Sequence, residues 1–326
     1  MSISERKKNH IDVCLKRDVR SGVASGFEKY RLIHNALPEA DFKTFSIIGE
    51  FLGRKINAPV LISSMTGGTE LGERINRNLA EAAEKLKIPF AIGSQRVYLA
   101  DEGRKPFDIR KYAPDVPVLA NVGAVQLNYG FTKEHYLRAV DMIGADALIL
   151  HLNPLQELTQ RDGDTDFSGL LRKIEGLCTH FPVPVIAKEV GWGISLSCAE
   201  KLIGAGVSMI DVAGAGGTSW SKVERFVHED QNFGAEAFDD WGIPTAECIE
   251  NIHATFPEVP LIASGGITNG IEGAKAVLLG AELFGMAGAL LPDAAREEPE
   301  AVIVFLEKII HQYKVARFVS EGIEKI

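Results

Sequence analysis

The chain has 326 residues, 46% of them hydrophobic and 24% charged, with a formal net charge of −9. That length can bury roughly three quarters of its unfolded surface in one large domain or two small ones, and the acidic balance argues against nonspecific nucleic-acid binding. The longest apolar runs, such as "ALIL" at 147–150, are too short to span a bilayer.

The opening "MSISERKKNHID" has no apolar segment of the kind a secretory signal needs. Cys14, Cys178, Cys198 and Cys248 form no close pair, as expected of free thiols in a reducing cytoplasm. Eight short apolar runs then follow in order. They are "PVLIS" (59–63), "PFAIG" (89–93), "PVLANVG" (117–123), "ALILHLN" (147–153), "PVIAKEVG" (184–191), "SMIDVAGAGG" (208–217), "PLIASGG" (260–266) and "ELFGMAGA" (282–289). They read as parallel strands buried on both faces.

Helical patterns fit between them. In 71–87, Leu71, Ile75, Leu79, Ala82, Ala83 and Leu86 recur at helical spacing. Residues 195–206 open with Ser and end in Gly, and 271–282 and 297–314 supply two more helices. Eight βα units predict an α/β fold, a (β/α)8 TIM barrel, as a single domain over 1–326. Residues 1–55 form an N-terminal extension, and the connection after the sixth strand, 214 to about 243, is long enough to be a lid. An open doubly wound sheet would want GxGxxG after the first strand, where this chain has "SSMTGGTE".

A barrel of this kind places its site at the C-terminal ends of the strands. There "MTGG" (65–68) and "GSQR" (93–96) are tight turns that let a flat ligand approach, and Arg96 suits an anion. Asn121 ends the third strand as a buried amide in need of a partner. Lys188 should face the barrel mouth, because its neighbour Glu189 must point the other way. Thr218 and Ser219 are donors in a glycine loop. "SGGI" (264–267) and "MAGA" (286–289) follow the last two strands, where barrels commonly bind phosphate.

"HLNPLQE" (151–157) is the densest cluster. His151 and Asn153 share a face, Pro154 ends the strand, and Gln156 and Glu157 fall on the loop. Taken singly, His151 is more often a satisfied core histidine and Glu157 a solvated acid. One carboxylate suits Mg²⁺, which keeps waters and borrows phosphate oxygens. The basic "RKKNH" (6–10) reads as a solvated terminus, unless Arg6, Lys7 and His10 fold over the mouth to meet a diphosphate.

These motifs closely resemble type 2 isopentenyl-diphosphate isomerase, the flavin-dependent form. "RKKNH", "SMTGG", "GSQR", "NVGA", "HLNPLQE", "KEVGWG", "AGAGGTSW", "DWGIPT" and "ASGGI" carry the resemblance in that order, across essentially the whole barrel. It implies an enzyme of isoprenoid biosynthesis that interconverts isopentenyl and dimethylallyl diphosphate with reduced FMN, Mg²⁺, and NADPH or NADH as reductant. It implies FMN contacts from Ser64, Met65, Thr66, Ser94, Asn121, Lys188 and Thr218, with Gly265, Gly266, Ile267, Ala287 and Gly288 around the phosphate. Arg6, Lys7, His10, Ser94, Gln95, Arg96, His151, Asn153 and Gln156 would surround the small-molecule diphosphate substrate, and Glu157 would hold Mg²⁺. A homo-oligomer, tetramer or octamer, is also implied. Thr268 departs from the family's pattern, in which arginine often follows "GGI".

On this expectation Gln156, His151 and Lys188 are the catalytic candidates, with Gln156 beside the alkene and Lys188 near flavin N1. Trp220 offers an aromatic wall to a cation-like transition state. A neutral amide is a poor acid, so Gln156 positions or relays. Three readings compete: an FMN-dependent 2-hydroxy-acid oxidoreductase, a Schiff-base aldolase using Lys188, and a diphosphate sensor without turnover.

Overall fold

The computed structural model describes residues 3–101, 107–228 and 234–326. Its eight parallel barrel strands are β1 (Val60–Ile62), β2 (Phe90–Ala91), β3 (Val118–Gly123), β4 (Ala147–Leu152), β5 (Val185–Glu189), β6 (Met209–Asp211), β7 (Leu261–Ser264) and β8 (Leu283–Met286). They hydrogen-bond in chain order and close between β8 and β1. Each expected run holds one strand, so the open-sheet alternative is excluded.

The expected helices are present at Glu70–Leu86, Leu196–Gly204, Gly270–Leu278 and Glu300–Phe318. Ser195 caps the second, its hydroxyl accepting from the Cys198 N–H at 3.3 Å. No helix of the described residues is long and apolar enough to cross a membrane. All four cysteines are free thiols.

The two-residue alternation of a strand divides the core. Outward residues such as Val60, Ile62, Leu148 and Leu150 join the layer under the helices. Inward residues Leu61, Ala91, Leu119, Ile149, Ile186, Met209, Ile262 and Leu283 fill the barrel, together with Phe51 and Ile56. Those two belong to a hairpin, Gly49–Phe51 with Arg54–Ile56, that enters the core from the extension. A second antiparallel pair joins Tyr30–His34 to Ser320–Lys325.

Two expectations need correction. The basic N-terminal segment is no solvated tail: it is a helix, Ile3–Lys16, with Ile11 buried. Its apolar positions Ile11 and Cys14 pack inward, which holds it down despite the charge density. Gln156 and Glu157 do not lie on a loop. β4 stops at Leu152 and Pro154 occupies the first turn of a short helix, Pro154–Thr159. Proline's fixed φ and missing N–H suit a helix start as well as a strand end.

Candidate functional site

The same alternation that fills the barrel builds its mouth. Two residues beyond the inward apolar layer come Ser63, Asn121, His151, Lys188, Asp211 and Ser264, with glycine at 93 and 285. Each strand thus continues its inward face from a methyl-bearing side chain to a polar one, or to none. Gly285 matters for space: a Cβ there would lie 2.4 Å from the Ser63 hydroxyl.

One large cavity opens on this layer. The sequence-expected residues Arg6, Lys7, His10, Ser64, Met65, Thr66, Ser94, Arg96, Asn121, His151, Asn153, Gln156, Glu157, Lys188, Thr218, Trp220, Gly265, Gly266, Ile267, Ala287 and Gly288 all line it. Gln95 does not join them. It is wholly buried, its Nε2 donating to the Ala139 carbonyl at 2.8 Å and its Oε1 accepting from the Asn121 N–H at 2.9 Å. It fastens the β2 loop to the barrel wall and, wholly buried, presents no face to the cavity.

The opening cluster is a hydrogen-bonded unit. Asn153 Nδ2 donates to Gln156 Oε1 at 3.1 Å and to Glu157 Oε1 at 3.0 Å. Gln156 Nε2 donates to Glu224 Oε1 at 3.1 Å. Glu224 comes from the long connection, on the helix Trp220–Val227, and is 1% exposed. His10 Nε2 lies 3.1 Å from the same Glu224 oxygen, and its ring meets Trp220 edge-on at 5.4 Å. The N-terminal helix is therefore drawn to the site by the residues it helps enclose. Lys7 adds a bond to the Ser94 carbonyl at 2.8 Å.

Glu157 is buried. Its Oε2 accepts from the Asp164 N–H at 2.8 Å and from Gln160 at 3.4 Å. Asp164 in turn pairs with Arg96 at 2.7 Å, so Arg96 already has an anion beside it. No cluster of three or more metal-ligating side chains exists among the described residues. A single buried carboxylate such as Glu157 suits a cation that keeps waters and borrows substrate oxygens, as Mg²⁺ does.

Charge at the mouth is predominantly positive where His151 sits. Its ring is pushed down to about 3, by burial first and then by Lys188, Lys7 and Arg96. His151 is a neutral imidazole at ordinary pH. Glu189 points away from the cavity as alternation requires. Its Oε2 accepts the N–H groups of Val190, Gly191 and Trp192 at 2.6–2.7 Å, and burial pushes it up to about 7.

The mouth fits a flat phosphorylated cofactor on two counts. The hydroxyls of Ser63 and Ser64 are buried on the cavity wall without hydrogen-bond partners among the described residues. The β6 and β7 loops also meet backbone to backbone: a Cβ on Gly265 would lie 2.1 Å from the Gly214 carbonyl oxygen, one on Gly266 2.6 Å from the Gly216 carbon. Gly265 and Gly266 have φ of 107° and 76°, which only glycine adopts without strain. Backbone N–H groups at such a glycine junction suit a phosphate.

Glu224, Asp211, Ser264 and Ser63 escaped the sequence reading. Strand parity was the signal for the last three. Glu224, on a helix within a long connection, had none.

An FMN-dependent dehydrogenase family model matches residues 124–315. An isopentenyl-diphosphate delta-isomerase from Nostoc sp. is 52% identical over 94% of this chain and 88% of its own length. One from Synechococcus sp. is 49% identical over 98% and 93%. One from Oceanobacillus iheyensis is 47% identical over 97% and 91%. Among solved structures, an oxidized active mutant of (S)-mandelate dehydrogenase has a TM-score of 0.69 at 16% identity, covering 98% of this chain and 99% of that one. A mutant flavocytochrome b2 with pyruvate bound has a TM-score of 0.69 at 16% identity, covering 95% and 78%. At that identity the two structures speak for the fold alone.

Proposed function

Because the chain belongs to the isopentenyl-diphosphate delta-isomerase family and carries an FMN-dependent dehydrogenase domain, we propose that its barrel mouth interconverts isopentenyl and dimethylallyl diphosphate over a bound reduced FMN. The observation that carries this reading is the Asn153–Gln156–Glu224 chain, which holds a neutral amide by both ends beside a cavity lined by cations and glycine turns.

Ser63, Ser64, Thr66, Asn121, Lys188 and Thr218 would hold the cofactor's ring and side chain, and the turns at Gly265–Gly266 and Ala287–Gly288 its phosphate. Bound and reduced, FMN supplies acid–base chemistry at its N5. The chain's own residues do the rest. Arg6, Lys7, His10 and Arg96 neutralise the diphosphate, and Glu157 holds Mg²⁺ against it. His151 is kept uncharged, which lets it hydrogen-bond without adding to the positive field. Gln156 is fixed facing the alkene, because a misplaced amide would forfeit orientation. Glu224 stands behind Gln156 as the titratable group that an amide lacks, able to take or return a proton at Oε1. Trp220 shields the developing cation. The same reading carries NADPH or NADH as the one-time electron source, a homo-oligomer, and a cytoplasmic setting.

The test is colour and redox balance. The purified protein should be yellow, should bleach with dithionite, and should isomerise isopentenyl diphosphate only when bleached, with no net consumption of NAD(P)H. Stoichiometric loss of NAD(P)H or of substrate reducing equivalents would favour a 2-hydroxy-acid oxidoreductase instead. Full isomerase activity in Gln156→Ala with reduced FMN would remove Gln156 from the mechanism.

A further inference from the structure

Asp211 is one charged residue of the mouth layer that the proposed reaction leaves without a task. It is 0% exposed and does not line the cavity, whereas Lys188, its register partner across β5 and β6, does. Its two oxygens are treated differently. Oδ1 accepts from the Ser264 hydroxyl at 2.5 Å and lies 3.3 Å from the Ala213 N–H. Oδ2 is buried with no hydrogen-bond partner among the described residues, and lies 3.8 Å from Lys188 Nζ.

That distance is too long for a hydrogen bond and well within reach of charge attraction at low dielectric. Lys188 Nζ instead donates to the Glu189 carbonyl at 2.7 Å. The ammonium is thus moored to backbone, with the carboxylate beneath it and the cavity in front. Burial pushes Asp211 up, and Lys188 and the Ser264 bond oppose that push. A buried anion with an unsatisfied oxygen persists where a cation offsets it.

We propose that Asp211 is the hidden counter-charge of Lys188, a positioning residue that limits how much positive charge Lys188 presents to the flavin. Ser264, reaching across from β7, holds Asp211 in that place. The proposal rests on the reading of the mouth as an FMN site. Its logic concerns one cation shared between two anions. With an oxidised cofactor, Asp211 has Lys188 to itself. When reduction adds negative charge in front of Lys188, the lysine is divided between the two. Asp211 therefore restrains reduction, and removing its charge has a definite sign.

The experiment uses Asp211→Asn holoenzyme, close to isosteric, with the midpoint potential of bound FMN measured at fixed pH against reference dyes. The reduced form should be favoured at least tenfold over wild type, a shift of about 30 mV to more positive potential for a two-electron couple. Asp211→Ala should shift in the same direction and serves if the asparagine variant does not fold. A residue that merely packs would lower stability or flavin occupancy and leave the potential of the retained flavin in place. An unchanged or more negative potential in either variant that keeps its FMN overturns the proposal. A colourless wild type that takes up no FMN would instead overturn the cofactor reading, and is seen before any variant is made.

Discussion

Nδ1 of His151 lies 2.7 Å from Oδ1 of Asn121, on the strand beside it. An amide oxygen only accepts, so the imidazole proton sits on Nδ1 and Nε2 is left as the ring's acceptor. Both residues come from the same inward parity of adjacent strands, so a single register sets the tautomer.

This relationship has a measurable pH consequence. The folded-state value of His151, about 3, is below the ordinary 6.5. The unfolded chain therefore binds the proton first, so stability is intact above about pH 6.5 and drains as pH falls toward 3. The slope is roughly 1 kcal/mol per pH unit. Glu189, raised to about 7, has the opposite sign, losing stability as pH rises from 4.5 to 7. The two trends overlap, so the difference between wild type and His151→Gln isolates the first. Urea midpoints should converge as pH drops from 7 to 5. A difference that stays constant would contradict a depressed His151.

Glu224→Ala removes the acceptor that holds Gln156 Nε2 and the carboxylate beside His10. Turnover should fall by roughly 100- to 10,000-fold, the scale of a lost acid–base group. FMN affinity should change little, because the proposed phosphate turns at Gly265–Gly266 and Ala287–Gly288 follow β7 and β8. Flavin fluorescence titration and steady-state kinetics separate the two.

Gln95→Ala should act on stability and not on substrate affinity. It strands the buried Asn121 N–H and the Ala139 carbonyl, a cost of about 2–3 kcal/mol. Denaturant unfolding would show the loss, with KM for the diphosphate near wild type. A large KM effect at full stability would restore Gln95 to the substrate site.

Gly265→Ala should produce protein with little flavin. Its Cβ would strike the Gly214 carbonyl at 2.1 Å on a backbone at φ 107°, and the neighbouring turn would have to shift. The ratio of visible to ultraviolet absorbance after purification reads this directly. Stoichiometric FMN in the variant would argue against the β7 turn as the phosphate cradle.

The barrel was legible because each strand announces itself as an apolar run between turns. Lys188 was placed correctly by parity alone, since Glu189 beside it had to face outward. The same rule applied to "MID" and "LIAS" would have found Asp211 and Ser264. The helix at 154–159 was misread because proline is equally at home ending a strand and opening a helix. The hairpin carrying Phe51 and Ile56 was missed because three-residue strands leave almost no pattern. Glu224 was out of reach in principle: its burial depends on how the long connection folds against the N-terminal helix, a matter of tertiary packing that no local spacing encodes. Gln95 misled because residues flanking it on both sides do line the cavity.

Tyr30 pairs with Lys325, and Arg31 with Glu324. The barrel can assemble from neighbouring βα units, each closing a short loop. This pairing closes nearly the entire chain, which is among the slowest kinds of contact to form. During synthesis the strand that steadies the N-terminal extension therefore waits for a partner that is made only after all eight barrel strands. All eight barrel strands would thus be made before this outer pair could form.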